Sequence, residues 1–254
     1  MGRPLAVVTG ASSGIGMVFA RRLARDYDLL LVARRRDRLQ ELAEQLRAQC
    51  ATTSEVLAAD LTDEQELKAV AERIGAEPRL ALLVNNAGVG SRGLFWKMDV
   101  EQNARMHRLH IDATLRLSHA ALRGMVQRNA GAIINVASVA AFVRRTGSTS
   151  YGATKSWIAV FTEALHLELK SIGSAVKVQA LCPGYTHSEF HDVLHLDRDT
   201  IAPRWAWLSA ERVVDDSLNS LRPGKLFVVP GWHYKAVVAL LTMTPNWLRL
   251  AVEK

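Results

Sequence analysis

Short aliphatic runs alternate with amphipathic stretches along most of the chain, and no other feature constrains the fold so tightly. The runs are Leu5–Thr9, Asp28–Ala33, Glu55–Ala59, Leu80–Asn85, Ala132–Ala137, Val176–Leu181 and Leu226–Val229. They lack the every-other-residue polarity of a half-exposed strand, so they read as strands buried on both faces. Between them lie the helical stretches Gly14–Arg25, Arg36–Gln49, Asp63–Ile74, Val100–Arg128 and Ser150–Ser171. In the second of these, Leu39, Leu42, Ala43 and Leu46 share one face while Arg, Glu and Gln cover the other. Strands joined through helices run parallel with right-handed crossovers. The pattern therefore predicts a Rossmann-like doubly wound α/β fold, a mostly or wholly parallel seven-stranded sheet with helices on both faces. With no linker, repeat or low-complexity tract, residues 1–254 are expected to form a single domain.

Two segments break the rhythm. Residues 185–225 carry Pro203, Trp205 and Trp207 without a clear strand, and an irregular stretch of this length is expected to be a substrate lid. Within it, His187, His191 and His195 recur every four residues, a spacing that can align imidazoles on one helical face. No Cys or His-Glu-x-x-His pattern accompanies them, so a polar lid face is expected and no metal site. Residues 230–254 form an apolar tail with interspersed Lys235, Arg249 and Lys254. A packed terminal helix, a groove cover, a partner interface and peripheral contact with a membrane surface all suit it.

Composition narrows the classes. At 49% hydrophobic and 22% charged, the 254 residues suit an ordinary globular core that needs no staples. Cys50 and Cys182 are too few for a disulfide framework, so a reducing, cytoplasmic location is expected. The 32 Lys and Arg against 25 Asp and Glu leave a formal charge of +7. These basic residues are dispersed and no DNA- or RNA-binding motif joins them, so no nucleic-acid partner is expected. The apolar run Ala236 to Leu241 is far below spanning length, so no membrane span is expected either.

The first strand leads directly into Thr9-Gly10-Ala11-Ser12-Ser13-Gly14-Ile15-Gly16, and a helix follows. Such a turn lets backbone approach a pyrophosphate, and the helix N-terminus offers unpaired amides and the positive end of its dipole. The second strand ends at Leu31-Val32-Ala33 and Arg34-Arg35-Arg36 follow, where a dinucleotide fold that prefers NAD carries an acid for the ribose 2′-hydroxyl. Guanidinium there attracts a 2′-phosphate, so NADP(H) is expected over NAD(H).

Taken in order, these motifs resemble those of the short-chain dehydrogenase/reductase family. Thr9–Gly16 is similar to its cofactor loop, and Asp60-Leu61 to its adenine-side acidic motif. Asn85-Asn86-Ala87-Gly88 resembles the signature after the fourth strand. Ser138 precedes Tyr151-Gly152-Ala153-Thr154-Lys155, a Tyr-x-x-x-Lys motif, and Pro183-Gly184 with Thr186 resembles the motif beside the nicotinamide. The resemblance spans about residues 5–190. It implies that Gly10, Ser12, Ser13, Gly14, Ile15, Gly16, Asp60, Leu61, Asn86, Ala87, Gly88, Pro183, Gly184 and Thr186 contact cofactor. Arg34, supported by Arg35, is implied to hold the 2′-phosphate.

The same resemblance implies the chemistry. Tyr151 would be the acid/base, Ser138 would bond the substrate oxygen, and Lys155 would bond the nicotinamide ribose. Lys155 lies four residues after Tyr151 on one helical face, and a cation there is expected to favour phenolate and lower the tyrosine pKa. The family usually carries an Asn before the fifth strand that supports a water linking the lysine to solvent; here that position holds His110. Two readings stand: His110 replaces or modifies this relay as a catalytic participant, or it packs there while a backbone carbonyl holds the water.

The expected function is reversible hydride transfer between NADP(H) and the carbonyl or secondary alcohol of an apolar small molecule. Phe95, Trp96, Phe142, Val143, Trp205 and Trp207 are candidates to line its pocket. The alternative is a catalytically silent NADP(H)-binding sensor or scaffold, for which His110 is the sole support. The resemblance further implies a homodimer or homotetramer through the helices at Val100–Arg128 and Ser150–Ser171.

Overall fold

In a computed structural model, residues 2–143, 145–187 and 202–245 are described. The strands are β1 (Leu5–Thr9), β2 (Asp28–Ala33), β3 (Ser54–Ala58), β4 (Leu80–Asn85), β5 (Ala132–Val136), β6 (Lys177–Leu181) and β7 (Phe227–Val228). They form one sheet in the order β3-β2-β1-β4-β5-β6-β7. Every pairing in it is parallel. The helices are α1 (Gly14–Leu23), α2 (Arg36–Cys50), α3 (Glu64–Gly75), α4 (Val100–His107), α5 (Ala113–Arg128), α6 (Thr149–Ser171), α7 (Ala210–Leu221) and α8 (Trp232–Met243).

The unbroken apolar runs have a direct cause. Successive side chains point to opposite faces, and both faces are covered. On β1, Ala6 and Val8 enter the layer shared with Phe19 of α1, Leu39 of α2 and Val213 of α7. Leu5 and Val7 enter the opposite layer with Val70 of α3, Leu117 of α5 and Leu169 of α6. Each fully buried Leu, Ile or Val contributes about 1.5–3 kcal/mol of transfer free energy. The strand order reverses between β1 and β4, and the crevice at that reversal, outside the carboxyl ends of the strands, is where such sheets bind ligands.

Two expectations need correction. The long stretch Val100–Arg128 is not one uniform α-helix: Arg108–Asp112 form a π-helical turn between α4 and α5. Residues 210–221 are not irregular but form α7, capped by Ser209, whose hydroxyl accepts from the Arg212 N–H. Its charged face hides the pattern, while Val213 and Val214 are fully buried. Asp215 forms a bidentate pair with Arg22 of α1 at 2.8 and 3.1 Å. The tail helix α8 is held by its first turn: Tyr234 is buried, whereas Trp232, Leu240 and Met243 are exposed. Among the described residues, no helix is long and apolar enough to cross a membrane. His191 and His195, the greater part of the expected lid before Ala202, and residues 246–254 lie outside the described residues.

Candidate active site

The turn after β1 and the turn after β4 are stitched together by Thr9. Its hydroxyl accepts from the backbone N–H groups of Asn86 and Ala87 at 2.9 and 3.0 Å. Asn86 returns a side-chain N–H to the Thr9 carbonyl at 2.9 Å. Two glycines are obligatory at this seam. Gly10 has φ +67°, and a Cβ on Gly16 would lie 2.3 Å from the Gly10 carbonyl oxygen. Ser13 caps α1 by backbone position without a side-chain bond, so the first amides of α1 keep their donors for a ligand.

Arg35 reaches across this loop. Its Nε and Nη2 lie 3.2 and 3.1 Å from Ser12 Oγ, and Nη2 lies 2.9 Å from Ser13 Oγ. Arg34 is exposed and has no hydrogen-bond or ion-pair partner among the described residues. Asp60 is turned into its own loop, accepting from the N–H and hydroxyl of Thr62 at 3.0 and 2.9 Å, and the neighbouring Leu61 is buried. A glycine cradle and a helix N-terminus together fit the pyrophosphate of a dinucleotide.

Behind this seam a buried amide chain fixes the ends of β4 and β5. Asn85 donates to Ser118 Oγ and to Asn135 Oδ1 at 3.0 and 2.9 Å, and Asn135 donates to Thr162 Oγ1 at 2.9 Å. These bonds tie both strands to α5 and α6. Just beyond β5, Ser138 caps a short 3-10 turn, its hydroxyl accepting from the Ala140 N–H at 3.1 Å. Ser138 is hydrogen-bonded to the side chain of Tyr151, in the first turn of α6. Lys155 lies one turn further along, with Nζ 5.8 Å from the Tyr151 ring centroid and donating to the Val136 carbonyl at 2.9 Å.

The electrostatics differ from the sequence-based expectation. Burial pushes the Tyr151 phenol up to about 12, opposed by its hydrogen bond to Ser138. Burial also brings the Lys155 ammonium down to about 8. The expected lowering of the tyrosine by the lysine is not found: desolvation of the phenolate dominates, and the Lys155 ammonium is directed at the Val136 carbonyl.

His110 is 1% exposed and lies on the π-helical turn. Its Nε2 accepts the Val89 N–H at 3.1 Å, which fixes the proton of the neutral ring on Nδ1. Nδ1 then donates to Thr154 Oγ1 at 2.9 Å, and the Thr154 hydroxyl donates to the Tyr151 carbonyl at 2.8 Å. Burial, with the Lys155 charge nearby, holds His110 well below the usual imidazole range. A parallel contact joins His107 Nε2 to Ser150 Oγ at 2.7 Å. Gly88 makes room for the imidazole, since a Cβ there would lie 3.0 Å from His110 Nε2.

The Pro183-Gly184 turn after β6 closes the opposite side. The Pro183 carbonyl accepts from the Val139 N–H at 3.0 Å, and Thr186 Oγ1 donates to the Gly184 carbonyl at 3.0 Å. Of the expected pocket aromatics, Phe95, Trp96 and Trp205 are more than half exposed. Phe142 packs on Phe227, and Trp207 stacks on His187 beside Tyr185. The sequence reading missed Thr9 and Thr154. The signal for Thr154 was present, because a hydroxyl three residues after Tyr151 on a helix can bond back to its carbonyl.

Comparison with known proteins adds three likenesses and a family. The sequence pattern described as short chain dehydrogenase matches residues 4–199. A short-chain dehydrogenase from Sphingobium yanoikuyae, solved in complex with NADPH, is 34% identical with a TM-score of 0.86, over 96% of this chain and 97% of its own. The bulky-bulky ketone specific alcohol dehydrogenase from Comamonas testosteroni is 31% identical with a TM-score of 0.81, over 97% and 96%. The very-long-chain 3-oxoacyl-CoA reductase of Bos taurus is 28% identical over 249 residues, 96% of this chain and 76% of that protein.

Proposed function

The chain belongs to the short-chain dehydrogenase/reductase family of oxidoreductases, and from that premise we propose that it is an NADP(H)-dependent carbonyl reductase, reversible as an alcohol dehydrogenase. The observation that carries the proposal is the Ser138–Tyr151 hydrogen bond, with Lys155 one turn along the same helix. When bound, the nicotinamide supplies or takes up the hydride. The chain's own residues handle the oxygen and its proton. Ser138 Oγ and Tyr151 Oη bind the substrate oxygen together, and the Tyr151 hydroxyl gives its proton to that oxygen as negative charge develops there. In oxidation the same phenolate oxygen takes the proton from the alcohol. With its phenol pushed up to about 12, Tyr151 is fully loaded as an acid at neutral pH. Lys155 supplies positive charge near the phenolate left behind, which matters most at the moment the proton has gone.

Gly10, Gly14 and Gly16 with the first amides of α1 hold the pyrophosphate, and Arg34 and Arg35 the 2′-phosphate. Arg35, already seated on Ser12 and Ser13, supports the preference for NADP(H). Asp60, Leu61, Asn86, Ala87, Gly88, Pro183, Gly184 and Thr186 frame the rest of the cofactor. His110 acts as a positioning residue, holding Thr154 and through it the carbonyl of Tyr151. Residues 1–254 act as one catalytic domain in the cytoplasm, where Cys50 and Cys182 stay as free thiols. The exposed Leu115 of α5 and the exposed Val160, Leu167 and Ile172 on and just after α6 support a homodimer or homotetramer through those helices. Light scattering at working concentration tests this, and a monomeric mass overturns it.

The test of the activity is NADPH consumption over a panel of ketones, aldehydes and 3-oxoacyl thioesters, each beside Tyr151→Phe. Turnover lost in the variant supports the reductase. Equal background in both proteins, with cofactor and carbonyl compound shown to bind, moves the weight to an NADP(H) sensor.

A further inference from the structure

The tail helix α8 meets the site through one side chain. Tyr234 is 8% exposed, and its ring fills the space over Gly184: a Cβ there would fall 2.0 Å from the tyrosine Cζ. The Tyr234 hydroxyl accepts from the Tyr185 N–H at 2.9 Å and donates to the Ala206 carbonyl at 2.7 Å.

Those two backbone groups belong to segments that run side by side. Thr186 and Leu208 form a parallel bridge. The Leu208 N–H donates to the Tyr185 carbonyl and the His187 N–H to the Leu208 carbonyl, both at 2.9 Å. A parallel ladder continued one step further would join the Tyr185 N–H directly to the Ala206 carbonyl. The phenol of Tyr234 stands in that rung. It satisfies both groups, and it holds the two segments apart there by the width of one oxygen atom. The spaced segment adjoins the chemistry, since the Pro183 carbonyl accepts from the Val139 N–H at 3.0 Å, next to Ser138.

We propose that Tyr234 is a positioning residue whose hydroxyl, inserted between Tyr185 and Ala206, sets the width of the wall beside Ser138 and so the size of carbonyl substrate that reaches Tyr151. The proposal rests on the reductase reading above. Without the hydroxyl, the Tyr185 N–H and the Ala206 carbonyl lose the partner they share, and bonding each other in the register of the ladder draws the wall inward. A loss of space on the scale of one heavy atom is typically worth 10-fold or more in discrimination between substrates.

The experiment pairs Tyr234→Phe with the intact enzyme, both carrying NADPH. One readout is kcat/KM for 2-butanone and for benzophenone; the other is the Tyr185 N to Ala206 O separation in a crystal structure of the variant. The expected result is a direct Tyr185–Ala206 hydrogen bond, a loss of about 10-fold or more for benzophenone, and 2-butanone within about threefold. Gly184→Ala, which displaces the ring while keeping the hydroxyl, serves if Tyr234→Phe does not fold; because Gly184 also frames the cofactor, its NADPH Kd is measured alongside, and at saturating NADPH the same ratio of the two ketones is expected to shift. Segments that stay apart in the variant, or equal losses for both ketones, overturn the proposal. An intact enzyme that binds NADPH yet reduces no carbonyl compound overturns the reductase reading and the size claim with it, while the separation in the variant still decides the rung.

Discussion

His110 Nδ1 lies 2.9 Å from the hydroxyl of Thr154, which in turn donates to the carbonyl of Tyr151. Because Nε2 is already accepting from Val89, this imidazole is a neutral connector with a fixed tautomer, spanning the turn after β4 and the helix that carries the acid.

A pH dependence of stability follows. The folded chain holds His110 well below its ordinary 6.5, whereas the unfolded chain titrates near that value. Below pH 6.5 the unfolded state therefore binds the extra proton, and stability falls by up to about 1.4 kcal/mol per pH unit until the folded value is reached. Denaturant melts of the intact protein and His110→Asn between pH 7 and 5 are expected to converge as the pH drops. Parallel curves would show that His110 does not carry the effect.

Lys155 should trade stability for activity. Its folded value of about 8 lies below the ordinary 10.5, so at neutral pH the buried ammonium costs about 3 kcal/mol. Lys155→Met removes that cost and strands the Val136 carbonyl at about 1–3 kcal/mol, leaving the variant near or slightly above the intact protein at pH 7. As pH rises from 8 toward 10.5 the intact protein gains and the order reverses. Thermal melts at pH 7 and 10 check this, and turnover in the variant is expected to be lost.

Tyr151→Phe should lower kcat by about 10²–10⁴-fold, since it deletes the proton donor and keeps the ring. With the phenol at about 12 and the lysine at about 8, the alkaline fall in reduction should set in near pH 8 and not near 10. A pH profile of kcat/KM distinguishes the two.

The two arginines at the end of β2 should decide the cofactor. Arg34→Ala with Arg35→Ala is expected to weaken NADPH by about 10–100-fold, as two charge-assisted contacts are lost, and to leave NADH within about threefold. Fluorescence titrations with each dinucleotide test it. Equal weakening of both would mean that the arginines serve the pyrophosphate loop through Ser12 and Ser13 and not the 2′-phosphate.

Gly16→Ala should be damaging without touching any catalytic side chain. Its Cβ would sit 2.3 Å from the Gly10 carbonyl, a backbone atom that cannot swing aside. A cost of about 1–3 kcal/mol in stability and a weaker NADPH Kd are expected.

The sheet was legible because its strands are buried on both faces, so runs such as Leu29-Leu30-Leu31-Val32 carry no polar interruption. The motifs of the candidate site were legible because they are short and sit at strand ends. The π-helical turn at Arg108–Asp112 was not, since one additional residue in a helical turn leaves the apolar spacing nearly unchanged. Nor was α7, whose Glu211, Arg212, Asp215 and Asp216 mask a narrow apolar stripe. Tyr234 was beyond reach for a different reason: its partners are two backbone groups and a glycine, which leave no side-chain signature.

The strand order has a consequence for how the chain is made. β1 finds its second neighbour only in β4, with Val8 opposite Val84. While a ribosome delivers the first three strands, the apolar edge of β1 has no partner, and it stays open until Leu80–Val84 emerge. Non-local parallel pairing of this kind is slow and exposes a sticky edge. The nascent chain is thus exposed to wrong pairing through roughly its first third, and a chain cut short before Leu80 is expected to aggregate.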